Sequence, residues 1–427
     1  MDKIFIDPSR DKWTEINQRP KINDGELRDI VSDILVDVKQ NGDAAIKKYC
    51  LQFGKVLLDN LKVNEQEIEE AVSFVDDELK NAIEIAKQNI EKFHLSQKEE
   101  VKKIETSNGV WCWRKPVAID KVGLYIPGGT APLFSTLLML GIPAVVAGCR
   151  EIIVCTPSDT NGKVNPVILY VAKLLGLKNI YKIGGVQAIA AMAYGSETIP
   201  AVYKVFGPGN QYVTCAKQLV NSEGISIDMP AGPSEVAVYA DESCDPAFVA
   251  ADLLSQAEHG IDSQVLLLAT STLIVSNVKN EIELQVELLS RKKIAEKALN
   301  NSRFIVMQNV NEAFELLNEY APEHLIIASD NAEQLSAKVI NAGSVFLGHY
   351  SPESVGDYAS GTNHILPTNG FAKSYPGVSL DSFVKKITFQ NISNEGLRNI
   401  GKVVEILAAA EGLDAHKNAI TVRLNNL

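Results

Sequence analysis

From about residue 120 the chain repeats one pattern: a short apolar run, a glycine turn, then a stretch with helical spacing. Val122–Ile126 leads into Pro127-Gly128-Gly129-Thr130 and a helix; Glu151–Cys155 precedes a helix over Pro166–Leu175. Asn179–Ile183 ends in Gly184-Gly185 and a helix over Val186–Tyr194, and Lys204–Phe206 runs into Gly207-Pro208-Gly209-Asn210 and another helix. Parallel neighbours need a crossover of a dozen or more residues, so this alternation implies a parallel sheet covered on both faces. A second series begins at Glu235–Tyr239 and continues through a helix over Pro246–His259, the strand Gln264–Ala269, helix from Ile274 to about Asn300, and Arg303–Met307. It closes with Leu325–Ala328 and Ser344–Leu347. The expected fold class is α/β, with two Rossmann-like parallel-sheet domains, N-terminal helices and a small helical C-terminal tail domain.

The expected divisions are a helical region over 1–120 packing on the second α/β domain, α/β domains over 121–234 and 235–378, and a tail over 379–427. Asp24–Tyr49 and Asn64–Ser96 have apolar residues at three- and four-residue spacing, and His94 reads there as a helix-surface residue. The segment Gly348–Pro376 reads as a long loop, and loops of that length inside a compact domain are usually functional. The tail, one strand and two helices, is too small for its own core and must pack on its own chain or a partner subunit.

Composition narrows the function classes. A net charge of −12 argues against nucleic acid or an anionic membrane surface as partner, since both demand a basic face. The N-terminus has no apolar core with a small-residue cleavage site. The most apolar stretch, Ala131–Cys149, is broken by Thr136, Gly141, Pro143 and Gly148, so it reads as a buried helix running to a turn. Six scattered cysteines without a Cys-x-x-Cys pair read as reduced, small hydrophobes, and the cytoplasm is the expected compartment.

Five of the six histidines (259, 324, 349, 364 and 416) follow residue 255, most of them beside a carboxylate or in a Gly/Ser-rich segment. Imidazole is a common metal ligand and the side chain that most readily trades protons near neutrality. Gln256 and His259 share one face at the carbonyl end of a helix, which either begins a zinc site or is a capping amide beside a solvated histidine. Asp357 is either a hard oxygen ligand or a turn cap next to Gly356, and His364 can contact an anionic group. Glu411 and His416 flank the turn at Gly412 and mean nothing alone. Glu323 and His324 divide naturally into a water-activating carboxylate and a proton shuttle, provided the backbone there has not yet become regular strand. The other reading is a strand-start carboxylate beside a half-buried histidine. The glycine turns suit pyrophosphate at helix starts, but none is Gly-x-Gly-x-x-Gly. A zinc hydrolase with Glu323 as water-activating base is the alternative these residues leave open.

The segments together resemble the histidinol dehydrogenase family over nearly the whole chain. The matching motifs are Val122-Gly-Leu-Tyr-Ile-Pro-Gly-Gly129, Gly184-Gly-Val-Gln-Ala-Ile-Ala190, Val205-Phe-Gly-Pro-Gly-Asn210 and Asp228-Met-Pro-Ala-Gly-Pro-Ser-Glu235. Further on come Asp252-Leu-Leu-Ser-Gln-Ala-Glu-His-Gly260, Ala321-Pro-Glu-His-Leu325 and Gly356-Asp-Tyr-Ala-Ser-Gly-Thr-Asn-His-Ile-Leu-Pro-Thr368. The resemblance implies oxidation of L-histidinol to L-histidine through the aldehyde, with two NAD reduced. It implies zinc held by Gln256, His259, Asp357 and His416, the last from the other subunit of a homodimer. His324 then corresponds to the base for the alcohol proton and Glu323 to the residue that activates water. Ser234, Glu411 and His364 correspond to substrate contacts, beside the zinc ligands and His324, while Tyr125, Gln187 and Asn210 correspond to NAD contacts in the first α/β domain.

Overall fold

A computed structural model describes residues 4–19, 24–128, 133–230 and 232–427. Gly129 and Thr130 of the first glycine turn, Ala131, and the helix start expected there lie outside the described residues.

Both α/β series form parallel sheets. In the first, the strands run in the order Asn179–Tyr181, Glu151–Cys155, Lys121–Tyr125, Lys204–Phe206, Ser226–Ile227. Numbered along the chain this is 3-2-1-4-5, so the direction of winding reverses between Lys121–Tyr125 and Lys204–Phe206. The second sheet repeats that order with Arg303–Val306, Gln264–Ala269, Glu235–Ala240, His324–Ala328 and Ser344–Leu347, and adds Ile4–Ile6 at its edge. All residues of Glu235–Ala240 and Gln264–Ala269 are buried, because helices cover both faces; that is why these strands are continuous apolar runs without alternation.

The last strand of the first sheet ends at Ile227 and the first strand of the second begins at Glu235. A linker this short spans at most about 25 Å even when extended. Parallel strands all point one way, so the carboxyl edge of the first sheet must lie close to the amino edge of the second. The structure bears this out: Gly232 N–H donates to the Thr368 hydroxyl, and His364 Nε2 lies 3.5 Å from the Thr136 hydroxyl on the helix Phe134–Ala147.

Several expectations need correction. The N-terminal helices pack on the first α/β unit, not the second: Val31, Ile34 and Ile46 share a core with Ile189 and Val205, and Ile83 and Ile90 share one with Leu137 and Leu140. The segment around Ile4–Ile6, Trp13 and Ile16 joins the second unit, and the helix Asp77–Leu95 also touches it through Asn89, which donates to the Ala359 carbonyl. His94 is no surface residue. It is fully buried, its Nδ1 2.8 Å from the Ile90 carbonyl and its Nε2 3.5 Å from Asn363. The stretch 274–300 is two helices, Thr272–Val286 and Lys292–Asn300. The long loop after Gly348 contains a helix, Glu353–Tyr358, so Asp357 projects from a helix and not from a turn. Finally, Lys103–Ser107 and Val110–Ala118 are strands that pair antiparallel with each other, and Val110–Ala118 pairs on its other side, also antiparallel, with the tail strand Val384–Ile392. The tail therefore has a platform drawn from the chain's N-terminal third. Phe383 anchors it, stacked on Phe206 with ring centroids 4.1 Å apart.

The helix Asp24–Gly54 kinks at Gly42, where φ is 47° and ψ is −129°, angles a side chain resists. Asp37 braces the kink: its carboxylate accepts from Asn41 Nδ2 and Lys48 Nζ at 2.7 Å each and from the Tyr49 hydroxyl at 2.8 Å. Lys48, then Asn41 and Tyr49, hold its carboxyl down at about 2. A carboxyl depressed by folding contributes stability above the unfolded value of about 3.9 and loses it as pH falls toward the folded one. Asp37→Asn is therefore expected to be less stable than the parent protein at pH 7 by urea denaturation, the gap closing between pH 5 and pH 2. A gap independent of pH would show that the carboxylate is not its source.

Candidate active site

The helix Pro246–Ala257 starts on Pro246 behind the Asp245 cap and ends near the amino edge of the second sheet. Its last turn presents Gln256, fully buried, and just beyond it the exposed His259. Gln256 Nε2 lies 2.9 Å from His259 Nδ1, which leaves Gln256 Oε1 buried with no hydrogen-bond partner. An unsatisfied buried carbonyl oxygen costs about 1–3 kcal/mol, and a cation would satisfy it. Asp357, from the short helix opposite, is close enough to His259 for their charges to interact. An amide oxygen, an imidazole and a carboxylate converging at a helix carbonyl end suit a divalent metal such as zinc.

The backbone requirement set by the sequence is met at Glu323, which is still in the turn, but not at His324, which already opens the strand. Ala321 caps the preceding helix in a left-handed conformation (φ 52°), Pro322 follows, and strand begins only at His324. Both side chains are buried at the seam between the two sheets. Glu323 Oε2 accepts from the Glu235 N–H at 2.9 Å, and His324 Nδ1 lies 3.2 Å from the Glu235 carbonyl. A carbonyl can only accept, so Nδ1 carries a proton. Nε2 is then the basic nitrogen; it lies 3.5 Å from Asp357 Oδ1 and has no hydrogen-bond partner.

Charge tunes the pair. Burial pushes the Glu323 carboxyl up to about 7 against the pull of His324. Burial also opposes a charge on His324, but Glu353, Glu323 and Asp357 outweigh it and raise the imidazole to about 10. His324, Glu353 and Asp357 bring donor atoms within 4.8 Å of one another, a set that could itself hold a cation. Glu353 is buried, its Oε2 is unpartnered, and burial raises its carboxyl to about 8. Sequence reasoning missed it. The available signal was its four-residue spacing from Asp357, which shares a helical face only once the segment is recognised as helix.

The remaining residues divide into those the chain brings together and those it does not. His364 Nδ1 lies 2.8 Å from the Asp357 carbonyl, which places it beside the cluster, and Ser234 immediately precedes Glu235. Glu411 and His416 are exposed on the tail, where the helix Asp414–Leu424 packs on Asn394–Ala410, and neither joins Gln256, His259 or Asp357 within the chain. Tyr125, Gln187 and Asn210 lie at the carboxyl edge of the first sheet, around the point where its strand order reverses. The Tyr125 hydroxyl accepts from the Gly185 N–H at 3.1 Å, Gln187 is buried, and Asn210 caps the next helix through the N–H groups of Tyr212 and Val213. Gly207 has φ of 125°, and a Cβ there would collide with the Tyr125 carbonyl, so the two turns close on each other only through glycine. Beside them a cavity of about 640 Å³ is lined by Gly128, Pro157, Ser158 and the buried, unpartnered hydroxyl of Thr156. Among the described residues, no helix is long and apolar enough to cross a membrane.

Comparison with known proteins gives these features a family context. A family model described as histidinol dehydrogenase matches residues 17–424. A histidinol dehydrogenase of Bacteroides thetaiotaomicron is 58% identical over 427 residues, covering 100% of both chains. One from Mannheimia succiniciproducens is 50% identical, covering 99% of this chain and 98% of its own. The crystal structure of histidinol dehydrogenase from Elizabethkingia anophelis superposes with a TM-score of 0.97 at 54% identity, covering 99% of this chain and 98% of that one.

If the convergence of Gln256, His259 and Asp357 is a metal centre, Asp357→Asn should weaken zinc binding by about 10–100-fold in a chelator-competition titration. Unchanged affinity would place the metal elsewhere.

Proposed function

The chain belongs to the histidinol dehydrogenase family, and from that membership we propose a zinc-containing, NAD-dependent enzyme that oxidises L-histidinol to L-histidine in two steps through the aldehyde. The observation that carries the reading is the seam itself: Glu323 and His324 converge there with Gln256, His259 and Asp357, facing the edge of a sheet with dinucleotide-binding strand order. Membership in an oxidoreductase family also favours hydride transfer over the hydrolase alternative. As a biosynthetic enzyme it would work in the cytoplasm.

Gln256, His259 and Asp357 would hold the zinc, with His416 arriving from a second copy of the chain. When bound, the ion would supply a Lewis-acid anchor for the substrate's imidazole and amino groups. In the first step His324 Nε2 takes the alcohol proton while hydride leaves for NAD. The Glu235 carbonyl keeps the opposite ring nitrogen protonated, so the basic lone pair always faces the same side. With Asp357 committed to a cation, less negative charge remains to hold a proton on His324, and its basicity falls toward the working range. In the second step Glu323 takes a proton from water as it adds to the aldehyde. A carboxyl raised to about 7 by burial suits that task near neutral pH. The hydrated aldehyde then loses its own hydride to a second NAD. Tyr125, Gln187 and Asn210 would contact the dinucleotide, while Ser234, His364 and the partner's Glu411 would contact the substrate.

A homodimer follows from the same reading. Ile406, Leu407, Leu413 and Val422 leave the tail with exposed apolar side chains, as expected of a segment that another subunit covers.

The test is a stopped assay on L-histidinol and NAD. The parent enzyme is expected to form about two NADH per substrate consumed, because hydration resets the carbon for a second hydride transfer. Glu323→Gln is expected to bind zinc normally yet stall after the first, leaving an aldehyde that a carbonyl reagent traps. No NADH from the parent enzyme would sink the activity, and full turnover by Glu323→Gln would sink the role of Glu323.

A further inference from the structure

We propose that Arg19 is a positioning residue for the Glu323–His324 pair, acting through Glu235. This rests on the assignment of that pair made above. Arg19 lies far from Glu235 in sequence, yet its guanidinium grips the Glu235 carboxylate with both arms, Nε to Oε1 at 2.5 Å and Nη2 to Oε2 at 2.8 Å. The carboxylate also accepts the Asn369 N–H at 2.8 Å. Its side chain is 2% exposed and that of Arg19 14%.

Burying such a pair is expensive, and an apolar pair of similar volume would often be as stable. Its surroundings suggest what is gained. The two peptide groups of Glu235 are the groups that hold the reacting pair, its N–H on Glu323 and its carbonyl on His324. Fixing the Glu235 side chain from behind fixes those groups. Arg19 also reaches the other approach to the pair: Nη2 donates to the Tyr320 carbonyl at 2.7 Å, and the guanidinium lies 4.1 Å from the centre of the Tyr320 ring. Tyr320 directly precedes Ala321, the left-handed residue from which the chain turns through Pro322 into Glu323. One planar cation thus fastens both the strand that orients the pair and the turn that delivers it.

The segment carrying Arg19 is held in turn. Gln264 Nε2 donates to the Gln18 carbonyl at 3.2 Å, and Gln264 Oε1 accepts from the Tyr320 hydroxyl at 2.8 Å. A lysine could supply the charge but not the fork that meets two carboxylate oxygens and a carbonyl together.

The experiment compares Arg19→Ala, Arg19→Lys and Glu235→Gln with the parent enzyme for kcat, KM for L-histidinol, bound zinc and thermal midpoint. Small misplacements of reacting groups slow chemistry more than binding, so kcat is expected to fall about 10–100-fold with KM and zinc content changed less than about twofold. Arg19→Lys should recover little, whereas added guanidinium at millimolar concentration should restore part of the Arg19→Ala rate. If a variant lowers only the thermal midpoint and its folded, zinc-loaded form turns over at the parent rate, the pair is structural and the proposal fails. Should Arg19→Ala not fold, Glu235→Gln keeps the volume and decides the matter by the same split. Assaying Glu323→Gln in parallel separates the two claims: if it turns over normally, the underlying assignment is wrong, and if it stalls while the Arg19 and Glu235 variants do not, only the positioning role is.

Discussion

The parallel pairing of Glu235–Ala240 with His324–Ala328 is the constraint from which the rest follows. These two buried strands meet where the winding of the second sheet reverses, and their first rung sets His324 against Val236. At that rung the peptide of Glu235 has side chains to bond as well as a ladder, and it holds Glu323 and His324. A slip of one residue would turn His324 to the opposite face. Register is thus a chemical requirement as well as a structural one, and fully buried apolar strands specify it well.

The two sheets share one strand order but offer opposite edges. The first presents its carboxyl edge, where backbone N–H groups at helix starts suit a dinucleotide. The second presents its amino edge, where the last turn of Pro246–Ala257 returns with Gln256 and where Glu323 leaves its turn. The short linker between Ile227 and Glu235 brings these edges together. Under the proposed function, joining two units of one strand order this way would set a dinucleotide surface opposite the acid–base and metal residues. Neither unit could assemble that arrangement alone.

Much of this was legible in the sequence because it depends on local pattern. The strand–turn–helix rhythm gave both sheets, and Glu323 and His324 stood out beside a proline that delays the strand. What escaped depends on contacts distant in sequence. His94 follows Ile90 by four residues and shares the buried face of Ile83 and Ala86, so its polarity, not its spacing, concealed its burial, and its partner Asn363 lies far along the chain. Val110–Ala118 looks unremarkable until Val384–Ile392 pairs with it. Glu353 was hidden because a segment rich in Ser, Pro and Gly conceals a short helix. Arg19 was invisible for the plainest reason: its partner lies on the first strand of the other half of the chain.

Within one chain Gln256, His259 and Asp357 gather while His416 stays exposed on the tail. The proposed account therefore requires a second copy to finish each site, and mixing subunits tests this most directly. Glu323→Gln and His416→Ala chains, each inactive alone, would be co-expressed with distinct tags and assayed for complete oxidation of L-histidinol. If sites are shared, one of the two sites in each mixed dimer carries no substitution, and random assembly should restore about a quarter of parental activity. Mixed dimers that form in that proportion yet remain inactive would mean that each chain must supply its own His416, contradicting the account.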